Sequence, residues 1–321
     1  MKQNSLYNIK KFKSLNIAIV GDLMLDKYIF GNVERISPEA PIPIVAVTNE
    51  KYFPGGAANV AANISTLGGK ANLYGLIGLD TPGELLLGCC DHFGIKHDGV
   101  IADKKLNTIQ KIRIVAHHQQ LLRIDYEDLK TGIENNTRQF LLKILKEKKL
   151  NAIIVSDYAK GCINMPLMTE LKILASKKKI PLLVDPKPPH KNLYRDVFLV
   201  TPNKKEAEEM SGMKINNNSD AIHCGKKIME ELNCNVIITR GEQGMSVFEK
   251  GKQPQHIPTN AQEVYDVSGA GDTVIATLCL AICSGFTLYD AAVLANIAAG
   301  IKVAKAGTSP VTFEELKKCK A

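Results

Sequence analysis

The chain has 321 residues, of which 45% are hydrophobic, enough to bury the core of a sizeable globular protein. Its formal net charge of +8 comes from lysines spread over predicted helix ends without interleaved aromatic residues, which argues against a nucleic-acid-binding protein. The N-terminus lacks an apolar signal segment, and every apolar run is shorter than the ~18 residues of a membrane span. We therefore expect a cytoplasmic protein without nucleic-acid or membrane partners, with its dispersed cysteines reduced.

Short apolar runs alternate with helical patterns, which predicts an α/β fold with a mainly parallel central sheet covered by helices on both faces. No repeat or linker divides the sequence, so we expect a single domain over 1–321. Strands are predicted at 17–20, 73–77, 152–156, 181–184, 197–200 and 236–239. Helices are predicted at 57–67, 138–148, 166–177, 204–211, 220–232, 270–284 and 288–302.

Two stretches, 28–47 and 108–125, break this alternation. The first carries prolines around an apolar run, and the second alternates polar and apolar residues as a hairpin does. Together they predict a small antiparallel β lid inserted in the domain. The exposed edges of such a lid offer a surface to a ligand or a second subunit.

The segment DVSGAGDT at 266–273 precedes a long apolar helical pattern and is the most informative part of the chain. Its glycines allow a tight turn whose amides, with the positive end of the helix, face an anion. Asp272 would repel that anion, so its best role is that of a base that takes a proton from an attacking hydroxyl. An ordinary helix start with a first-turn aspartate remains the alternative.

Other polar or glycine-rich residues also stand where strands end or helices begin. Gly55 and Gly56, with Asn59 shortly after, allow a ligand close to the backbone, although a tight helix–sheet contact explains them as well. Asp22 and Asp26 follow the first strand, where carboxylates suit a polyol, or where an aspartate caps a turn.

Three further segments follow later strands. Lys160 and Lys187 each stand near an aspartate, which suits a charged, hydroxylated substrate or a plain salt bridge. Asn203 and Glu206 suit a water-mediated contact to Mg²⁺ and phosphate, or a helix cap. The segment 239–244 suits nucleotide phosphates or a hairpin turn. No histidine pair has the HExxH spacing, which disfavours a metallohydrolase.

The segments GGAANVAANISTLGG and DVSGAGDT, in this order, resemble the signatures of the ribokinase-like (PfkB) carbohydrate kinase family, which has a three-layer α/β fold with a β lid. Within that family the chain resembles, over roughly 17–315, the heptose-7-phosphate kinase domains of lipopolysaccharide core synthesis. The segments that carry this closer resemblance are GDLMLDKYIFGNVERISPEAPIPIV, PGGAANVA, QQLLRID, SDYAKG, VDPK, TPNKKE, TRGEQGMS and QEVYDVSGAGDTVIA.

The resemblance implies a role for each matching residue. Asp272 would be the catalytic base, and the amides of Gly269, Ala270 and Gly271 would form the anion hole. ATP, with Mg²⁺ held by Glu206 through water, and a monovalent cation such as K⁺ are the implied cofactors. Nucleotide-side residues would be Asn203, Lys204, Lys205, Glu206, Thr239, Gly241, Gly244, Asn296 and Gly300, with 307–309 near the monovalent cation. Sugar-side residues would be Asp22, Asp26, Gly55, Gly56 and Asn59, with Arg35, Lys160 and Lys187 available for a sugar phosphate.

The implied activity is phosphorylation of O1 of D-glycero-D-manno-heptose 7-phosphate to the 1,7-bisphosphate, with the β anomer, by a homodimer that shares its lid. The sequence ends at Ala321 without an adenylyltransferase segment, so a stand-alone kinase is expected, with a separate protein forming ADP-heptose. The alternatives are a kinase of the same fold for another sugar or sugar phosphate, and a non-catalytic sugar or nucleotide sensor.

Overall fold

The structure is a computed structural model that describes residues 8–117, 119–127, 137–147, 149–260, 264–305 and 309–319. Its larger sheet has the strand order β13-β12-β11-β10-β9-β8-β1-β4-β5. All neighbouring strands from β5 to β11 pair in parallel, and β12 and β13 add an antiparallel edge. The strands are β1 (Asn16–Gly21), β4 (Lys70–Gly78), β5 (Lys96–Asp103), β8 (Ala152–Ser156), β9 (Leu182–Asp185), β10 (Leu199–Val200), β11 (Asn235–Thr239), β12 (Met245–Phe248) and β13 (Gln255–Ile257).

Helices cover both faces of this sheet. Alternation along β1 explains the layers, because Ile17 and Ile19 enter one hydrophobic core while Ala18 and Val20 enter the other. The first core holds α1 (Ala57–Thr66), α2 (Thr81–His92), α7 (Ala270–Cys283), α8 (Leu288–Val303) and α9 (Phe313–Lys318). The second holds α3 (Thr137–Leu145), α4 (Met165–Lys178), α5 (Lys204–Ser211) and α6 (Asn218–Leu232).

The lid is the smaller sheet, with strand order β3-β2-β6-β7. It consists of β2 (Leu23–Ile36), β3 (Pro43–Gly56), β6 (Ile109–Ala116) and β7 (Gln119–Tyr126). The hairpins β2–β3 and β6–β7 are antiparallel, and a parallel pairing of β2 with β6 joins them. The strands β2 and β3 extend beyond the predicted segment 28–47. Strand β2 begins two residues after β1 ends, so the lid starts at the edge of the larger sheet.

The expected three-layer α/β fold is confirmed, and each predicted strand and helix is present with small shifts of its ends. The sequence patterns missed α2, α9, β5 and the β12–β13 edge. Lys148, at the end of a predicted helix, lies outside the described residues. All eight cysteines are free thiols in the structure. Within the described ranges, no helix has the length and apolar character needed to cross a bilayer.

Candidate active site

The site lies at the carboxyl edge of the larger sheet, where open α/β sheets bind ligands. Asp22 follows β1, Tyr158 follows β8 and Asp185 ends β9. The N-terminus of α7 and the first turn of α1 reach the same edge, because Asn59 of α1 contacts Asp272 of α7. Parallel strands thus gather residues that are far apart in the sequence.

Asp272 lies in the first turn of α7 and is 4% exposed. The Asn59 amide donates to its Oδ2 at 2.6 Å, and the Tyr158 hydroxyl donates to its Oδ1 at 3.0 Å. Burial raises the pKa of the Asp272 carboxyl to about 6, against the opposing effect of these hydrogen bonds. The carboxylate is therefore ionised near neutral pH and can accept a proton.

The turn before α7 requires glycine at one position and tolerates a side chain at another. Gly269 has φ +76°, and a Cβ there would lie 2.6 Å from the Asn59 amide nitrogen. At Gly271 a Cβ would meet nothing within 4 Å. The Ala270 N–H already donates to the Val267 carbonyl oxygen at 3.2 Å, so an anion at this turn competes with that bond. The N-cap residue Gly269 has no side chain to cap the helix, which leaves the positive end of α7 facing the site.

A cavity of about 500 Å³ lies beside this turn. Its walls are mainly apolar, which suits a planar base and a ribose, and the turn at its mouth suits phosphates. Gly244 must be glycine here, because it has φ +77° and a Cβ would lie 2.0 Å from the Ile257 carbonyl oxygen. The lining includes the predicted nucleotide residues Thr239, Gly241, Gly244, Asn296 and Gly300, together with Ala270 and Gly271. The residues present thus fit a nucleotide. Of the predicted loop 307–309, residues 307 and 308 lie outside the described ranges.

Asn203 and Glu206 form the helix cap that the sequence left open as the alternative. The Asn203 side chain accepts from the Glu206 N–H, and Glu206 Oε2 accepts from the Asn203 N–H, each at 2.9 Å. The other Glu206 oxygen pairs with the Lys187 ammonium. Burial raises the pKa of Asp185 well above its usual value, and the negative charges of Glu206 and Asp272 add to that effect.

Glu206 and Asp185 could supply part of the coordination of a metal ion but not a complete set of protein ligands. In the part of the chain that the structure describes, His, Cys, Asp and Glu side chains nowhere form a group of three or more that could hold a metal ion. Mg²⁺ commonly keeps several waters and takes only one or two carboxylates together with nucleotide phosphates. Glu206 and Asp185 are carboxylates of that kind, and since both Glu206 oxygens are already engaged by Asn203 and Lys187, Glu206 would contact such an ion through water. Lys204 is half-buried, whereas the Lys205 side chain is 86% exposed toward Glu209 and is not gathered with the others.

Asp22 caps a turn, the alternative that the sequence left open, and its role as a sugar ligand stays a prediction. Its carboxylate accepts from the backbone N–H groups of Tyr158 at 2.8 Å, Lys160 at 3.1 Å and Cys162 at 3.0 Å. Burial raises its pKa, and these hydrogen bonds oppose the rise. The residue therefore shapes the loop that follows β8.

Asp26 is paired across the lid with a residue that the sequence reasoning missed. Arg113 of β6 donates to Asp26 Oδ1 at 2.5 Å, and its guanidinium carbon lies 5.1 Å from the centroid of the Tyr28 ring. Burial raises the pKa of Asp26, and the Arg113 charge opposes this rise. Gly55 is needed beside this pair, because a Cβ there would lie 2.8 Å from Asp26 Oδ2. One feature of the sequence could have indicated Arg113: it is a charged residue at an inward-facing position of a strand with alternating polar and apolar residues.

The cations expected to hold a sugar phosphate are not brought together. Lys160 pairs with Glu127 at the end of β7, and Lys187 pairs with Glu206 on the nucleotide side. Arg35 is exposed near the outer end of β2. Of these three, Lys160 stands where the lid meets the body of the protein, and the binding of a sugar phosphate by any of them stays a prediction.

Comparison with known proteins identifies the family of this chain. A model of the pfkB family of carbohydrate kinases matches residues 14–314. This chain belongs to the pfkB family. As a member of that family it is an ATP-dependent sugar kinase, and the expected resemblance is confirmed.

Curated relatives include Bifunctional protein HldE of Geobacter sulfurreducens, 42% identical over 305 residues, covering 94% of this chain and 62% of the relative. Bifunctional protein HldE of Vibrio atlanticus is 41% identical over 308 residues, covering 95% and 63%. The chain thus spans less than two thirds of the length of these relatives.

Solved structures show the same fold. Arabidopsis thaliana ribokinase complexed with ribose and ATP has a TM-score of 0.74 at 19% identity, covering 95% of this chain and 98% of that one. Escherichia coli phosphofructokinase-2 in complex with potassium has a TM-score of 0.77 at 18% identity, covering 95% and 97%.

Proposed function

We propose that the protein transfers the γ-phosphoryl group of ATP to O1 of D-glycero-D-manno-heptose 7-phosphate and gives the 1,7-bisphosphate, with the β anomer as its acceptor. The single observation that carries a transfer reaction is the buried Asp272 carboxylate beside the uncapped start of α7. The choice of heptose is supported by 42% identity to a protein named Bifunctional protein HldE and by the sequence segments described above.

In the proposed reaction the sugar O1 loses its proton to the Asp272 carboxylate and forms a bond to the γ-phosphorus. The bond from that phosphorus to the β–γ bridging oxygen breaks, and ADP leaves. A carboxyl with a pKa of about 6 is largely ionised at neutral pH and is a fitting general base. The amides of the turn at Gly269–Gly271 and the positive helix end stabilise charge on the transferred oxygens.

Glu206 and Asp185 would hold Mg²⁺ through water. When bound, that ion supplies positive charge to the nucleotide phosphates. A monovalent cation near Asn296, Gly300 and 307–309 stays a prediction, supported by the potassium complex of a structural neighbour. Omitting K⁺ from the assay tests it.

On the sugar side, Asn59 and the backbone at Gly55 and Gly56 would approach the acceptor, next to the pair of Asp26 and Arg113. Asp26 keeps lone pairs for sugar hydroxyls because Arg113 occupies one of its oxygens. Lys160 would exchange Glu127 for the 7-phosphate, since it already stands where the lid meets the body.

We also propose a homodimer formed through the lid. Large apolar side chains are exposed on its strands and their connection, and exposed apolar side chains of this kind suit contact with a second copy of the chain. These are Ile36 (61%), Ile42 (57%), Val47 (57%), Leu121 (42%), Leu122 (53%) and Tyr126 (55%).

The deciding experiment measures ADP release with heptose 7-phosphate, fructose 6-phosphate and ribose, followed by phosphorus NMR of the product. The proposal requires heptose 7-phosphate to be the best substrate and a new phosphorus signal on C1. Preference for another sugar would establish the alternative kinase. Absence of ADP release with every sugar would point to a sensor, against which the ionisable base at the turn argues.

A further inference from the structure

Tyr158 lies between the proposed base and the cation of the nucleotide side. Its hydroxyl donates to Asp272 Oδ1 at 3.0 Å, and the Lys187 ammonium lies 5.3 Å from the centroid of its ring. Lys187 in turn pairs with Glu206. One aromatic side chain therefore touches the residues of both halves of the proposed reaction.

The loop that carries Tyr158 is held by several independent contacts. Asp157, which is fully buried, accepts from the Ala159 N–H at 2.7 Å and from the Tyr194 hydroxyl at 2.7 Å, and its Oδ2 lies 2.7 Å from His190 Nδ1. Ala159 has φ +54°, a conformation that non-glycine residues adopt only where the surroundings enforce it. The Tyr158 backbone is also bound by Asp22, as described above. The phenol is thus fixed before any ligand arrives.

Tyr158 keeps its proton over the whole range in which a kinase works. Burial raises the pKa of its phenol well above the usual value, and the negative charge of Asp272 adds to this rise. A phenol has one hydrogen to donate, and here it points to Asp272. With Asn59 donating to Oδ2, each carboxylate oxygen has one protein donor, so the group cannot rotate freely, and lone pairs remain for the proton of the sugar.

We propose that Tyr158 is the positioning residue of this kinase: it orients the Asp272 carboxylate toward the acceptor hydroxyl and keeps it ionised. The inference deepens the proposed function and rests on it for the identity of the acceptor. The Lys187 ammonium over the ring draws electron density from the phenol and strengthens its hydroxyl as a donor. Tyr158 itself takes no proton from the substrate and forms no bond to it.

The test replaces Tyr158 by Phe in the full chain, which removes the hydroxyl and keeps the ring and its packing. We expect kcat to fall by roughly 10- to 100-fold, the scale for residues that orient a reactive group, while KM for ATP and for sugar stays nearly unchanged. The acidic midpoint of the kcat/KM–pH profile, which reports the unliganded enzyme, should move up from about 6, because a hydrogen bond to the charged form is lost. An unmoved midpoint overturns the proposal, and a rise in sugar KM alone would make Tyr158 a substrate contact instead.

Tyr194→Phe is the matched control. It removes another enclosed tyrosine hydroxyl of the same region, one that bonds Asp157 and the backbone of Lys187 and not Asp272. It should lower the melting temperature and leave the acidic midpoint in place. Equal shifts in both variants would show a general loosening of the loop and overturn the positioning role.

A titration without substrate separates this proposal from the identity of the sugar. The Asp272 carboxyl carbon is followed by carbon NMR against pH in the wild type and in Tyr158→Phe. A midpoint near 6 that rises in the variant supports the role of Tyr158 even if heptose 7-phosphate is not turned over. Identical midpoints in the two proteins would contradict the positioning role of Tyr158 even if heptose 7-phosphate is the substrate.

Discussion

The nucleotide side and the sugar side of the site differ in how their residues are engaged. On the nucleotide side, Thr239, Gly244 and Asn296 line one cavity next to the turn before α7. On the sugar side, Asp22 and Asp26 are already bound by backbone amides and by Arg113. The first region is built largely from backbone shape and the second from paired charges. Substitutions on the nucleotide side should therefore act by steric clash or by an unfavourable backbone φ. Substitutions on the sugar side should act by leaving a buried charge without its partner.

The largest effect is expected where the two sides meet. Asp272→Asn removes the proton acceptor but keeps the size of the side chain, so kcat should fall by roughly 10² to 10⁴-fold while ATP still binds. ADP release and calorimetric ATP binding measure the two quantities. Turnover close to wild type would exclude Asp272 as the base.

The next effect concerns the charge pair of the lid. Arg113→Met leaves the buried Asp26 carboxylate without its partner, so the free energy of unfolding should fall by about 3 kcal/mol in urea denaturation. Arg123, its neighbour across the β6–β7 pair, has a side chain that is 52% exposed and pairs with Asp125. Arg123→Met should cost less than about 1 kcal/mol. Equal losses would contradict the distinction between paired buried charge and surface charge.

A smaller effect separates the glycines of the turn. Gly269→Ala introduces a Cβ at φ +76° and 2.6 Å from the Asn59 nitrogen, so it should destabilise the fold by more than about 1 kcal/mol. Gly271→Ala points into open space within α7 and should leave thermal stability equal or higher, since Ala favours a helix by about 0.5–1 kcal/mol. The melting temperatures of the two variants test this difference. A lower melting temperature for Gly271→Ala than for Gly269→Ala would contradict the glycine requirement at 269.

The smallest effect on the folded protomer is expected at the lid surface. Leu122→Glu places a charge in the proposed dimer contact, so light scattering should report a monomer, with protomer stability changed by no more than about 0.5 kcal/mol. Leu145→Glu is the control. Leu145 lies on α3, outside the lid, and its exposed fraction of 55% matches the 53% of Leu122. If both variants keep the mass of the wild type, the lid is not the contact.

Sequence reasoning succeeded where a local pattern determines the structure. The strand and helix periodicities predicted the sheet, and the glycines at 269, 241 and 244 pointed to the turn and the cavity, because φ and close approach depend on the residue itself. It failed where a partner comes from far along the chain. Asp26 and Arg113 are 87 residues apart, and Tyr158 and Asp272 are 114 apart, so no local signal shows that they meet.

Asp22 gives the molecule a shared anchor. It is the residue between β1 of the large sheet and β2 of the lid, and its carboxylate holds the backbone at Tyr158, Lys160 and Cys162. Any tilt of the first lid strand pulls on the same side chain that secures the tyrosine behind the base. We therefore expect a displacement of β2 to reach the backbone of Tyr158 through this one carboxylate.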